Sequence, residues 1–501
     1  MKVSVKFHDY SNAKIETDHD IFRELREYYS FETEGGARFN PKFKYSGWDG
    51  KIRMLQPDGS FPYGLINHLE RYCKRNEYDF EKDPDFTPEP GFPSREEFDK
   101  WLSDIDIKSG GESITPHWYQ ADAVYYALTN NRGILNLPTS AGKSLIAALI
   151  CYWYITNFSG KVLLIVPTTS LVTQMLNDFI DYEFMKPGYS HGIMSGRAKD
   201  SPSPIYVSTW QSASKQPSHW FKQFGCLLID EVHNLGTEIK SIVTNLNECP
   251  YKFGMSGSLK DGKSNIMSYV GLFGEVFKPV STVQLMEEGQ VTELKINSLL
   301  LRYPKEDCIM VKGLEYQQEI SYVEEHARRN AVICKLGLRL ARDKQENTLI
   351  LFRHTTHGKK LYEALKKKYD KVYFANGGTK VADRDELKKI AEGGDGVIIV
   401  ASLGVFSTGI SIKKLHHVIF AAGIKAKTLV LQSIGRVLRK HGSKEIAYLW
   451  DIIDNLCIES KTSKPGSVKY SHKNYLYKHG LLRIEKYNDE RFEYSLKEVI
   501  L

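Results

Sequence analysis

Short apolar runs of four to six residues recur along this chain, separated by spacers long enough to be helices. One series comprises Gly133–Leu137, Lys161–Val166, Ile205–Ser208, Cys226–Asp230 and Phe253–Ser256. A second comprises Thr348–Phe352, Val372–Ala375, Val397–Ala401, His417–Ala421 and Ala447–Asp451. Strands this uniformly apolar are buried on both faces, which requires helices above and below them. Strands alternating with helical spacers predict βαβ units and parallel sheets. The spacing therefore predicts an α/β protein with two parallel-sheet domains in tandem. A small α+β N-terminal domain precedes them and a short extension follows.

Three stretches mark the boundaries. Asp83–Ser94 holds four prolines in twelve residues, the composition of an extended linker. Glu287–Thr292 separates the two series, and Ser460–Gly466 follows the second. The expected domains are 1–90, 91–285, 286–455 and 456–501, the last a basic tail.

With 501 residues, 42% hydrophobic and 26% charged, the chain is long enough to bury several cores without disulfides or metals. Collagen-like, coiled-coil and disordered classes are excluded. Its seven cysteines are odd in number and form no CxxC pair, so a reducing cytosol fits better than a disulfide framework or a zinc ribbon. The opening MKVSVKFHDY lacks the apolar core of a signal peptide. The longest apolar run, Leu145–Ile155, is too short to span a bilayer. The expected location is the cytoplasm.

The net charge of +7 conceals an asymmetry. Residues 1–100 carry 16 basic and 20 acidic side chains, whereas residues 413–484 carry 14 basic and 4 acidic ones. A basic end on a nearly neutral protein fits a polyanionic partner such as nucleic acid. A solvated charged face is the plainer alternative.

Leu137–Ser144, LPTSAGKS, follows a strand-like run and precedes an apolar helical segment. That is the setting of a phosphate-binding loop, although Leu137 stands where the first glycine of GxxxxGK[ST] belongs. Backbone N–H groups of the turn over Ser140, Ala141 and Gly142 can face phosphates. Lys143 supplies a point charge, and Ser144 a hydroxyl for Mg²⁺. Asp230 and Glu231 close the apolar strand beginning at Cys226. In an ATP site Asp230 would hold the metal, and Glu231 would orient or deprotonate the attacking water. Arg436 and Arg439, three residues apart, would share a helix face. Arginines from a second domain can stabilise charge on a transferring phosphoryl group, an effect of ~10³–10⁵ in rate.

Taken in order, PTSAGKS, DEVH, Ser256–Ser258 and Gln432–Arg439 (QSIGRVLR) resemble the motifs of superfamily 2 helicases of the DExH type. The resemblance covers roughly residues 112–455, and its implications are these. The two domains are RecA-like motor domains, and the cofactors are ATP and Mg. Gln120 reads adenine, and Gln432 joins the nucleotide site. VPTTSLVTQ, VSTWQS, LILFRHTTHG and ASLGVFSTGISI match the nucleic-acid loops, which makes Thr168, Thr169, Thr209, Arg353 and Thr408 candidate contacts. Ser256 and Ser258 couple nucleotide state to strand movement. Three departures stand out: Ser140–Ala141 replaces a frequent Gly, Ser411 a frequent Asp, and Ser433 a frequent Arg.

The stretches PHWYQADAV, SGSLKDGKSNIMSYVG and RFNPKFKYSGWDGKIR extend the resemblance to recombination and repair helicases of bacteriophages. The implied partners are branched and single-stranded DNA (forks, displacement loops, Holliday junctions), RNA–DNA hybrids, and recombination or single-strand-binding proteins. The motifs alone fit a double-strand translocase or an RNA helicase as well.

Two flanking segments mix basic and aromatic residues, a pairing suited to phosphates and stacked bases. Phe39–Arg53 contains Lys42, Lys44, Lys51 and Arg53 among Phe43, Tyr45 and Trp48. Its SGWDG reads equally as a tight turn with Trp48 in the core. Lys461–Lys478 has no acidic residue, and Lys464, Lys469 and Lys473 are candidate nucleic-acid contacts.

Overall fold

The computed structural model of the chain describes residues 1–32, 48–86, 91–194, 200–259, 262–408, 412–425, 427–460 and 469–501. The chain divides into two compact units. One comprises residues 1–137 and 141–279, the other residues 138–140 and 280–501.

The first unit holds two sheets. The N-terminal one has four strands in the order Ser60–Pro62, Asn12–Thr17, Lys2–Phe7, Asp79–Lys82. Its first three strands are antiparallel, and the last runs parallel to its neighbour. Val3, Val5, Ala13 and Ile15 are buried at every second position, so one face packs on a core. Helices His19–Tyr28 and Ile66–Arg75 close that core with Leu25 and Leu69.

This sheet is fastened to the second one by two buried cations. The ammonium of Lys252, wholly buried, donates to the Tyr10 carbonyl at 2.9 Å, the Ser11 hydroxyl at 2.8 Å and the Val243 carbonyl at 3.3 Å. The Arg132 guanidinium donates to the same Tyr10 carbonyl at 2.7 Å and lies 3.9 Å over the Tyr63 ring.

The second sheet of this unit has seven parallel strands. Their order is Ser190–Ile193, Ile205–Thr209, Lys161–Val166, Phe224–Asp230, Tyr251–Ser256, Arg132–Asn136, Val276–Phe277. Helix Lys143–Asn157 buries Leu145 through Cys151 without a break, as a helix covering a parallel sheet must.

The second unit repeats the plan. Its seven parallel strands run Val372–Ala375, Ile398–Ser402, Thr348–Phe352, His417–Phe420, Ile446–Asn455, Glu293–Arg302, Tyr494–Ile500. The tandem α/β architecture expected from the apolar runs is therefore present.

The C-terminal residues, expected as a basic tail, fold into this sheet. Helix Tyr475–Asp489 leads to the edge strand Tyr494–Ile500, which pairs with Glu293–Arg302. Inside, Arg483 and Tyr487 both bond the Asp451 carboxylate, and all three are buried. Positive charge on the outer face of this helix hid an inward face that carries Leu476, His479, Arg483 and Tyr487. No helix among the described residues is long and apolar enough to cross a membrane.

Candidate functional site

In the first unit, Gln120, Ala141, Gly142, Lys143, Ser144, Asp230 and Glu231 gather at the carboxyl ends of the strands, where open parallel sheets bind ligands. Strand Arg132–Asn136 runs into Leu137–Gly142, and Lys143 opens the following helix. Two left-handed residues shape the turn, Ser140 and Gly142, each at φ +73°. Only glycine fits the second position, because a Cβ there would lie 2.2 Å from the Gln120 amide nitrogen. Ser140 accepts a conformation that costs an L-residue about 1–2 kcal/mol. Ala141 is fully buried.

Gln120 belongs to helix Trp118–Asn130, and both ends of its amide are engaged. Its nitrogen donates to the Ala141 carbonyl at 3.0 Å, and its oxygen accepts the His117 N–H at 2.8 Å. The side chain expected to read adenine therefore pins the loop. Lys143 Nζ reaches back to the Leu137 carbonyl at 3.4 Å. The Ser144 hydroxyl pairs with the Tyr182 hydroxyl at 2.8 Å, a partner that no local sequence signal marked.

Asp230 ends strand Phe224–Asp230. Burial pushes its carboxyl up to about 7, and the neighbouring Glu231 charge adds to the shift, against the pull of Lys143. Glu231 turns left-handed at φ +53°, and its N–H donates to Asp230 Oδ1 at 2.9 Å. Strain of this kind in a non-glycine residue clusters at functional sites.

His233 links the acidic pair to the next strand. The Ser256 hydroxyl donates to the Ser258 carbonyl at 2.8 Å, so it acts as an acceptor toward His233 Nδ1 at 2.9 Å. The same nitrogen lies 3.2 Å from Glu231 Oε2.

The expected nucleic-acid residues of this unit lie along the same strand ends. Thr168 caps helix Thr169–Asp181 by accepting the Leu171 N–H at 3.3 Å. Thr209, 4% exposed, caps the next short helix and donates to the Ser212 hydroxyl at 3.1 Å. Its hydroxyl is occupied structurally, whereas Thr168 and Thr169 are more open.

In the second unit, helix Lys427–Val437 carries Gln432 and Arg436. The helix ends there, so Arg439 lies past a turn, and the shared helix face expected for the two arginines is not formed. The physical reason is the neighbouring backbone. Thr292 N–H donates to the Leu438 carbonyl at 2.8 Å and its hydroxyl to the Arg439 carbonyl at 3.2 Å. Lys444, 6% exposed, donates to the carbonyls of Val437 at 2.7 Å, Lys413 at 3.0 Å and Leu415 at 3.0 Å. These bonds stop the helix and hold the segment carrying Arg439. Ser433, the departure from Arg, is buried and bonds the Leu429 carbonyl within the helix.

Arg353 follows strand Thr348–Phe352 and is exposed. Lys469 and Lys473 are exposed on either side of the short strand Tyr470–His472. Lys42, Lys44, Ser411, Lys464 and the Thr408 side chain lie outside the described residues. Trp48 donates to the Lys51 carbonyl at 2.8 Å, the turn reading of its segment. Lys51 pairs with Glu27, and Arg53 with Asp49.

A glycine-lysine turn, an acidic pair on a nearby strand end and a second parallel-sheet unit bearing arginines together define a nucleotide-driven motor. Comparison with known proteins places it further. Residues 2–83 match the family model "DNA helicase UvsW, N-terminal", residues 113–261 "Type III restriction enzyme, res subunit", and residues 328–441 "Helicase conserved C-terminal domain". The chain is 50% identical over 506 residues to the ATP-dependent DNA helicase uvsW of Enterobacteria phage T4, covering 100% of both chains. It is 28% identical over 368 residues to the DNA 3'-5' translocase XPB2 of Sulfurisphaera tokodaii, covering 64% of this chain and 78% of that one. The crystal structure of T4 UvsW superposes with a TM-score of 0.53 at 48% identity, covering 100% of both chains. The chain belongs to the UvsW family of superfamily 2 ATP-dependent DNA helicases.

Proposed function

We propose that this helicase couples ATP hydrolysis to the remodelling of branched DNA (forks, displacement loops and Holliday junctions) and of RNA–DNA hybrids, in the cytoplasm of a phage-infected host. The full-length match, which includes the N-terminal module, carries this reading. Recombination and single-strand-binding proteins are the expected partners.

Lys143, with the N–H groups around Gly142, binds the phosphates. The donor set suits Mg²⁺, since Asp230 and Ser144 offer oxygen ligands, and phosphate and water complete a magnesium shell. Asp230 supports this fit: its carboxyl is pushed up to about 7 by burial beside Glu231, a charge that a divalent cation would offset. Bound MgATP supplies an electrophilic γ-phosphoryl group with an anionic leaving group. Glu231 orients and deprotonates the attacking water. His233 passes the change at Glu231 to Ser256. Arg436 and Arg439 offset the charge that develops on the phosphoryl group. Thr168, Thr169, Arg353, Lys469 and Lys473 contact the DNA backbone.

The test is a gel assay on a labelled synthetic fork with ATP and Mg²⁺. Separated or re-paired strands are expected with the wild type and none with Lys143→Ala. Intact forks with ATP consumed would shift the reading to a double-strand translocase or an RNA substrate. Intact forks with no ATP consumed would refute a motor altogether.

A further inference from the structure

Helix Tyr475–Asp489 is mounted rigidly at its start. The buried Glu319 carboxylate accepts the Tyr475 N–H at 2.9 Å, the Leu476 N–H at 2.7 Å and the Asn474 amide at 2.8 Å. Two turns on, Arg483 is locked to Asp451. The first turn therefore presents Tyr475, 43% exposed, in one orientation.

Tyr475 does not stand alone. Tyr316 meets it edge-on, with ring centroids 5.7 Å apart. Arg353 donates to the Tyr316 hydroxyl at 2.8 Å and lies 5.8 Å from its ring centroid. Lys478 sits 5.4 Å from the Tyr475 ring centroid. Behind them His479 packs on Tyr316 at 5.2 Å. Burial first, and then the charges of Lys425, Arg483 and Arg353, lower His479 to about 4. The nearby carboxylates are already engaged, Glu319 by the helix and Glu324 by His354 at 2.8 Å.

The cluster lies at the ligand-binding end of its sheet. Arg353 directly follows strand Thr348–Phe352, and Lys425 comes shortly after the adjacent strand His417–Phe420. A presented aromatic ring flanked by cations, one of them held by Tyr316, matches one polymer best: a chain with a flat base and an anionic phosphate at every unit.

We propose that Tyr475, braced by Tyr316, stacks an unpaired base of single-stranded nucleic acid while Arg353, Lys425 and Lys478 hold the flanking phosphates. The inference rests on the DNA-motor reading above and adds a strand contact built by the C-terminal helix.

The test uses the full chain, with fluorescence anisotropy on labelled oligodeoxythymidine and on a blunt duplex. Tyr475→Ala should weaken oligodeoxythymidine binding by about 5–100-fold, the range of one lost stacking contact. Tyr475→Phe, which keeps the ring, should stay within about twofold of wild type. Duplex binding, the melting temperature and ATP turnover without DNA should not change. Wild-type oligonucleotide affinity in Tyr475→Ala, equal loss in the Phe variant, or parallel loss on duplex would each overturn the platform while leaving the motor reading intact. A wild-type protein that binds neither DNA would overturn both.

Discussion

The Gln120 side chain donates to the Ala141 carbonyl at 3.0 Å, so a residue outside the phosphate loop sets the loop's shape. Gln120→Ala should raise the KM for ATP by about tenfold, the effect of one lost buried hydrogen bond. The same variant separates two roles in steady-state kinetics with ATP and GTP. Equal loss for both nucleotides identifies loop pinning, and loss confined to ATP identifies adenine recognition.

Asp230 carries a pH signature. Folding raises its carboxyl from 3.8 to about 7, so the folded protein binds that proton more readily than the unfolded chain. Its charge therefore lowers stability above pH 7, and that penalty is relieved as pH falls from about 7 toward 4. Asp230→Asn, without nucleotide or divalent cation, should melt higher than wild type at pH 8 by about 2–4 °C for each kcal/mol recovered. The difference should shrink by pH 5. ATP turnover should be lost at every pH.

Lys444 acts on the arginine segment through backbone carbonyls alone, three of them within 3.0 Å. Lys444→Met should lower kcat for ATP about tenfold or more with little change in KM, because Arg439 loses its mount while Lys143 is untouched. Lys444→Arg should not rescue, since a planar fork cannot meet three convergent carbonyls. An unchanged kcat would detach Lys444 from the arginines.

The C-terminal residues are load-carrying parts of the second sheet. Arg483→Ala leaves Asp451 charged, buried and short of its main partner, which should cost about 3–5 kcal/mol in thermal or urea unfolding. Replacing the pair together, Arg483→Met with Asp451→Leu, should recover only part of that loss, because the Tyr487 hydroxyl and the Ile424 and Ile452 carbonyls lose their partners. Deletion after residue 468 should yield an aggregating chain, because strand Glu293–Arg302 would become an uncovered edge.

The apolar runs and the motif order made the two parallel sheets and the Lys143–Asp230–Glu231 grouping legible, because buried strands must be continuously apolar and their loops follow chain order. Of the edge strands, Val372–Ala375 was legible, whereas Val276–Phe277 and Tyr494–Ile500 were not. Val276–Phe277 is two residues long, and Tyr494–Ile500 carries charges on an exposed face. Long-range capping left no local trace either. Glu319 holds a helix that begins 156 residues later, and no spacing rule connects them. Arg439 was misplaced for a related reason: helical periodicity continues through QSIGRVLR, but Thr292, 147 residues away, and Lys444, seven residues past the helix end, stop the helix first.

Lys252 and Arg132 place their charges inside the seam between the N-terminal sheet and the first parallel sheet, both on the carbonyl of Tyr10. A seam held by surface pairs could slip and re-form in a different register. This seam instead rests on an amine and a guanidinium that share one carbonyl, so a shift of Tyr10 would cost both of them a buried partner. The N-terminal sheet is therefore joined to strands Arg132–Asn136 and Tyr251–Ser256 by side chains of those strands themselves, through the single carbonyl of Tyr10.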